Sequence, residues 1–122
     1  MKAQLFDTQD HASLRNGRVL ESPQQLRAAL EEMQSPSRAP FFMELVGDNG
    51  RQLLLGLGGA DGCVQFSSAD GAPPYLMAVG QYDGGDGPME FMMGGTATPV
   101  SRRYSLPLQV VTGIAMIAHR FP

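Results

Sequence analysis

The chain has no tryptophan and a single cysteine, Cys63, so no internal disulfide can form. That excludes a disulfide-stapled secreted scaffold and a cysteine-rich zinc module. Charge is scarce too: 17% of residues are charged, nine basic and twelve acidic, for a formal charge of −3. A mildly acidic surface repels phosphate, which disfavours direct binding to a nucleic-acid backbone. No apolar run approaches the ~20 residues that cross a bilayer, and the chain reaches Asp7 and Asp10 before any apolar stretch of signal-peptide length. These absences predict a soluble cytoplasmic protein with no membrane partner. Hydrophobic residues make up 43% of the 122, enough for one core, so a single domain over residues 1–122 is expected.

The clearest local signal is Ser22-Pro23-Gln24-Gln25. Ser22 can cap a helix, Pro23 suits its first position and Gln25 can complete a capping box. Leu26, Ala29, Leu30 and Met33 then recur at helical spacing, which predicts a buried stripe, and Ser35-Pro36 should end the helix. From Phe41 onward, short apolar runs alternate with glycine-rich turns. They predict antiparallel strands at Phe41–Val46, Arg51–Leu57, Gly62–Ser67, Tyr75–Val79 and Met89–Met93, with Gln81–Pro88 as a long loop. Thr96–Ser105 reads as an edge strand with Arg102 and Arg103 on opposite sides. Pro107–His119 reads as a second helix, with Val110, Ile114, Ile117 and Phe121 on its inner stripe and Gly113 allowing close approach to the sheet. The fold class is α+β: an antiparallel meander of about five to six strands with an N-terminal and a C-terminal helix packed on it. Leu54, Leu76 and Met92 oppose the main apolar face, so both faces should be covered, by a helix on each or by a helix and a partner. Met43, Met77, Met89, Met92 and Met93 read as a plastic core.

Residues suited to catalysis are few. Cys63 lies in a predicted strand beside Val64 and Phe66, the ordinary place of a buried thiol. His119 near a helix end is explained by the dipole, and His11 sits in polar surroundings. In Gly56–Gly62, Asp61 occupies the third glycine position of a nucleotide-binding turn and strand follows, so a hairpin loop is expected there. Asp83-Gly84-Gly85-Asp86-Gly87 lacks the ligand spacing of a calcium loop. No catalytic residue, metal site or cofactor is predicted.

Charge layout says more. Between Phe41 and Val100 there are seven acids and one base, Arg51, a net of −6, while every other base lies outside that segment. One negative end is expected, with Asp48, Asp61, Asp83 and Asp86 in turns and Tyr82 beside them as an aromatic contact. Such an end can be plain solubility, or it can steer the molecule toward a basic protein.

Pro74 to Pro122 resembles immunity protein family 1 of bacterial polymorphic toxin systems. Pro74-Tyr75-Leu76 resembles that family's Pro-Tyr-aliphatic strand, and Met89-Glu90-Phe91 with Gly94-Gly95 resembles its Glu-Phe strand and double glycine. Thr98-Pro99-Val100-Ser101-Arg102-Arg103-Tyr104 resembles its basic segment, and Leu106-Pro107 opens the last helix. The helix from Ser22 to Met33 is also similar to the family's opening. The resemblance implies an inhibitor without enzymatic activity, which binds a cognate toxin, commonly a deaminase or nuclease domain, and so serves in interbacterial competition. It implies that the motif residues hold the fold and that recognition resides in variable loops. The toxin-binding residues expected on this reading are Asp48, Asp61, Tyr82, Asp83 and Asp86, whose carboxylates imitate phosphate in a basic cleft. Two other classes remain open: a secretion chaperone or adaptor for an effector, and a small hydrolase or ligand-binding domain gathering His119, Cys63 or the aspartates.

Overall fold

The computed structural model describes residues 3–9, 16–34, 38–48, 50–68, 70, 75–80 and 87–120, the side chains of 119 and 120 excepted. Helix α1 spans Pro23–Met33. Ser22 is extended, and its Oγ accepts the Gln25 N–H at 3.2 Å, which satisfies one of the free donors of the first turn. Gln25 Oε1 reaches one residue further back than a standard box and accepts the Glu21 N–H at 2.8 Å. Leu26, Ala29, Leu30 and Met33 are all buried, the stripe that their spacing predicts. Gln34 turns extended and closes the helix; the expected stop at Ser35-Pro36 lies outside the described residues.

Among the described residues nine strands form the sheet system: β1 Ala3–Asp7, β2 Arg18–Leu20, β3 Phe41–Gly47, β4 Arg51–Leu57, β5 Asp61–Ser68, β6 Leu76–Met77, β7 Met89–Met93, β8 Thr96–Val100 and β9 Leu106–Pro107. The main order is β2-β1-β3-β4-β5-β6, antiparallel throughout. Hairpin β7–β8 leaves this path and meets β3 in parallel at Phe41 and Met92. Helix α2 spans Leu108–Arg120. The fold is α+β, an antiparallel sheet with two helices.

Several elements differ from the sequence expectation. Strands β1 and β2 were not foreseen; β1 buries Ala3, Leu5 and Asp7 on one side, and a buried aspartate breaks the apolar alternation that marks a strand. The expected strand Tyr75–Val79 shrinks to Leu76–Met77. The run Thr96–Ser105 stops at Val100, and Arg102–Tyr104 form a 3₁₀ turn capped by Ser101, so the two arginines do not alternate as in a strand. Pro107 pairs with Asp61 in β9 instead of opening the helix.

The two faces of the sheet are covered by different means. Leu5, Met43, Leu45, Leu53, Leu55, Leu57 and Val64 face both helices in one buried cluster. The opposite face carries no helix among the described residues. There Phe42 and Cys63 are covered by Met89 and Phe91 of the hairpin, with the Phe42 and Phe91 rings 5.1 Å apart. Gly56 makes this seat: a Cβ at that position would stand 2.8 Å from the Phe91 ring and from Cys63 Sγ. Met43 and Met89 are buried, and Met77, Met92 and Met93 are half-buried against the two clusters.

Helix α2 is rotated from the expected phase. Val111 and Ala115 face the sheet and the expected Ile114 packs half-buried against the same cluster, while Val110 is 40% and Ile117 61% exposed and Phe121 lies outside the described residues. The cause is close approach, since Val111 Cγ2 lies 3.0 Å from where a Cβ on Gly62 of β5 would be, and only small residues fit at that distance. Gly113 takes no part, with no heavy atom within 4 Å of its would-be Cβ. The close-approach glycine is thus on the strand, not on the helix.

Candidate functional site

Of the acids expected to bind a partner, the two among the described residues, Asp48 and Asp61, stand apart. Asp48 is exposed in the turn from β3 to β4, and Asp61 is exposed at the first position of β5. Between them runs all of β4, and its seven residues at ~3.3 Å each put the two carboxylates more than roughly 20 Å apart, at opposite ends of the sheet. Tyr82, Asp83 and Asp86 lie outside the described residues, as do His11 and the side chain of His119. The segment that carries the first three enters the described chain at Gly87 and Pro88.

That entry point adjoins Asp61. Pro88, Glu90 and Phe91 line an open cleft of about 390 Å³ together with Gly59, Asp61 and Arg102. Each wall has a local cause. Gly58 takes φ +92 in the β4–β5 turn, a left-handed conformation that glycine adopts without strain, and a Cβ there would press on Pro40 Cα at 3.1 Å. The turn delivers Asp61 to the cleft mouth, where its backbone pairs with Pro107. Strand β7 buries Met89 and Phe91, so the side chain between them, Glu90, is exposed. Ser101 Oγ accepts the Arg103 N–H at 3.3 Å and fixes the turn that brings Arg102 to the same cleft.

The expected single negative end is therefore corrected: Asp61 and Glu90 share their cleft with a guanidinium. The strand reading of 96–105 hid this, because a continued strand would have carried Arg102 along the sheet edge. The cleft offers two carboxylates, one guanidinium and an apolar floor at Phe91, a set that recognises charged and peptide groups by hydrogen bonding.

Cys63 is buried, and burial pushes its thiol up from 9.0 to about 11, against a smaller lowering by a hydrogen bond with the Gly56 backbone. A nucleophilic cysteine needs the opposite shift, toward thiolate at neutral pH. Gly56–Gly62 form the end of β4, a hairpin turn and the start of β5, with no helix N-terminus to hold phosphate. Among the described residues, no group of three or more His, Cys, Asp or Glu could hold a metal ion.

One polar cluster had no sequence signal. Asp7, 5% exposed, accepts from Arg38 Nη2 at 2.7 Å and from the Gln9 N–H at 3.0 Å. The Arg38 guanidinium also lies 3.5 Å above the Phe41 ring. The partners are 31 residues apart in sequence, and the pair ties the end of β1 to the chain entering β3.

Comparison of the chain with known protein families, with curated proteins and with solved structures returns no match. No helix among the described residues is long and apolar enough to cross a membrane.

Proposed function

We propose that this chain is an immunity-type inhibitor: it binds a basic toxin domain that acts on nucleic acid and covers the toxin's catalytic cleft, with no turnover of its own, in the cytoplasm of the toxin-producing cell. The observation that carries the reading is the exposed pair Asp61 and Glu90 at one cleft, directly joined through Gly87 and Pro88 to the segment bearing Tyr82, Asp83 and Asp86. Family resemblance in Pro74 to Pro122 supports the same reading.

The footprint follows from interface size. A standard interface covers about 800 Å² on each partner, a disc of about 16 Å radius. Centred on Asp61, it takes in Glu90 and Arg102 but falls short of Asp48, which becomes a solvated turn residue. Carboxylates at such a centre occupy the places where a nuclease or deaminase holds phosphates, and close charge pairs across an interface couple by roughly 1.5–7 kcal/mol each.

The test is co-expression with the product of the adjacent gene. The wild-type chain should co-purify with it and protect the cell, and an Asp61→Lys, Glu90→Lys double variant should fold, lose the complex and lose protection. Association of the wild-type pair should slow as salt rises. A wild-type chain that gives no protection overturns the proposal; a stable complex with undiminished toxin activity replaces it with a secretion chaperone or adaptor.

A further inference from the structure

A second cavity, of about 280 Å³, opens on the sheet face away from the helices, between β1, β3 and the end of β7. Phe6, Thr8, Glu44 and Met93 are among its walls. Glu44 is the anomaly. It sits mid-strand in β3, half-buried, with Phe6 directly across on β1 and Leu54 directly across on β4. Its same-face neighbours along β3 are Phe42 and Val46, so the side chains directly across from it and along its strand are apolar, while Thr8 and Asn16 add polar parts to the same wall. Leu54 and Met93 pack onto the buried cluster of Phe42 and Phe91. Among the described residues, no hydrogen bond or ion pair engages the Glu44 carboxylate. The Asp7 carboxylate, on the helix side of β1, has its guanidinium; among the described residues Glu44 has none.

A half-buried carboxylate with apolar side chains across from it and along its strand, and no cation beside it, adds nothing to the packing around it. A ligand that supplies the cation accounts for it. At about 280 Å³ the cavity has room for one long side chain. We propose that it is a socket for an arginine side chain of the partner protein. The aliphatic stem lies along Met93, the guanidinium stacks on Phe6, and its fork meets the two oxygens of Glu44. This deepens the inhibitor reading and rests on it for the identity of the partner. Glu44 stands two strand spacings across and four residues along from Asp61, about 16 Å, so one basic partner reaches both.

The test uses the intact chain and a short peptide. Backbone amide shifts of the labelled protein are followed on titration with acetyl-Gly-Arg-Gly-amide. Saturable shifts are expected at Phe6, Thr8, Glu44 and Gly94, with none from the norleucine analogue and at least tenfold weaker binding to Glu44→Gln. The variant's melting temperature should be unchanged or raised. A lowered melting temperature would show that the carboxylate is satisfied within the chain and would overturn the proposal. So would the absence of saturable shifts at tens of millimolar peptide, binding by the neutral analogue, or binding of free butylguanidine alone. Because the titration contains no toxin, the socket and the inhibitor reading fail separately: a silent titration beside intact toxin capture removes only the socket.

Discussion

Replacing Gly113 by alanine should stabilise the protein, and the seat of α2 explains why. Among the described residues, and apart from the helix's own backbone, nothing lies within 4 Å of the position that the new methyl would take, and the backbone there is not left-handed. The substitution therefore adds no clash and removes the entropic penalty of a mid-helix glycine, about 0.8–1.0 kcal/mol. For a chain of 122 residues that raises the melting temperature by about 3–6 °C. The matched control is Gly62→Ala. Its methyl would overlap the Gly56 carbonyl oxygen and stand 3.0 Å from Val111 Cγ2, so helix and strand must separate. Overpacking of this kind costs about 1–3 kcal/mol. Thermal melts by circular dichroism, with both variants and the wild type at one protein concentration, read the two effects directly. A fall for Gly113→Ala together with tolerance of Gly62→Ala would refute the orientation of α2 and show that the helix approaches the sheet through its own glycine.

Two further outcomes are expected. Phe91→Ala empties the seat over Gly56 and should lose about 3–5 kcal/mol in urea unfolding, with Cys63 becoming reactive to a thiol reagent under native conditions. Cys63 also sets a pH dependence: its folded value is raised, so its contribution is complete below pH 9 and disappears as pH climbs through about 11, a loss of up to about 3 kcal/mol that Cys63→Ala should abolish.

What could be read from the residues alone was whatever short-range chemistry decides. Helix α1 is specified within a dozen positions, by a capping serine, a proline and four apolar residues at one spacing. Strands β3, β4 and β5 likewise follow from apolar runs and their turns. Hairpin β7–β8 was legible as a pair of strands, but its place over Gly56 depends on an absent side chain in a distant strand, which has no local signature. The phase of α2 was missed because the larger Ile114 and Ile117 draw the apparent stripe, whereas the close sheet surface admits Val111 and Ala115. At the site, Asp61 was legible as an exposed acid. Its company with Glu90 and Arg102 was not, since a strand and two separate turns bring them to one cleft. Glu44 was counted only as one charge among seven, and its isolation appears once Phe6 and Leu54 are known to flank it.

The hairpin over the second face has a consequence for synthesis. Its turn is held to the other end of the chain: Gly94 donates to the Thr8 carbonyl at 3.0 Å, and Gly95 donates to the Gln9 side chain, 86 residues away, at 2.7 Å. Strand β1 leaves the ribosome before its partner β3 and well before the turn that clasps its end, so the nascent polypeptide waits half-clothed, with Phe42 and Cys63 uncovered until β7 is made. A sheet with such distant pairings closes late, and β1 is a guest of the hairpin made after it.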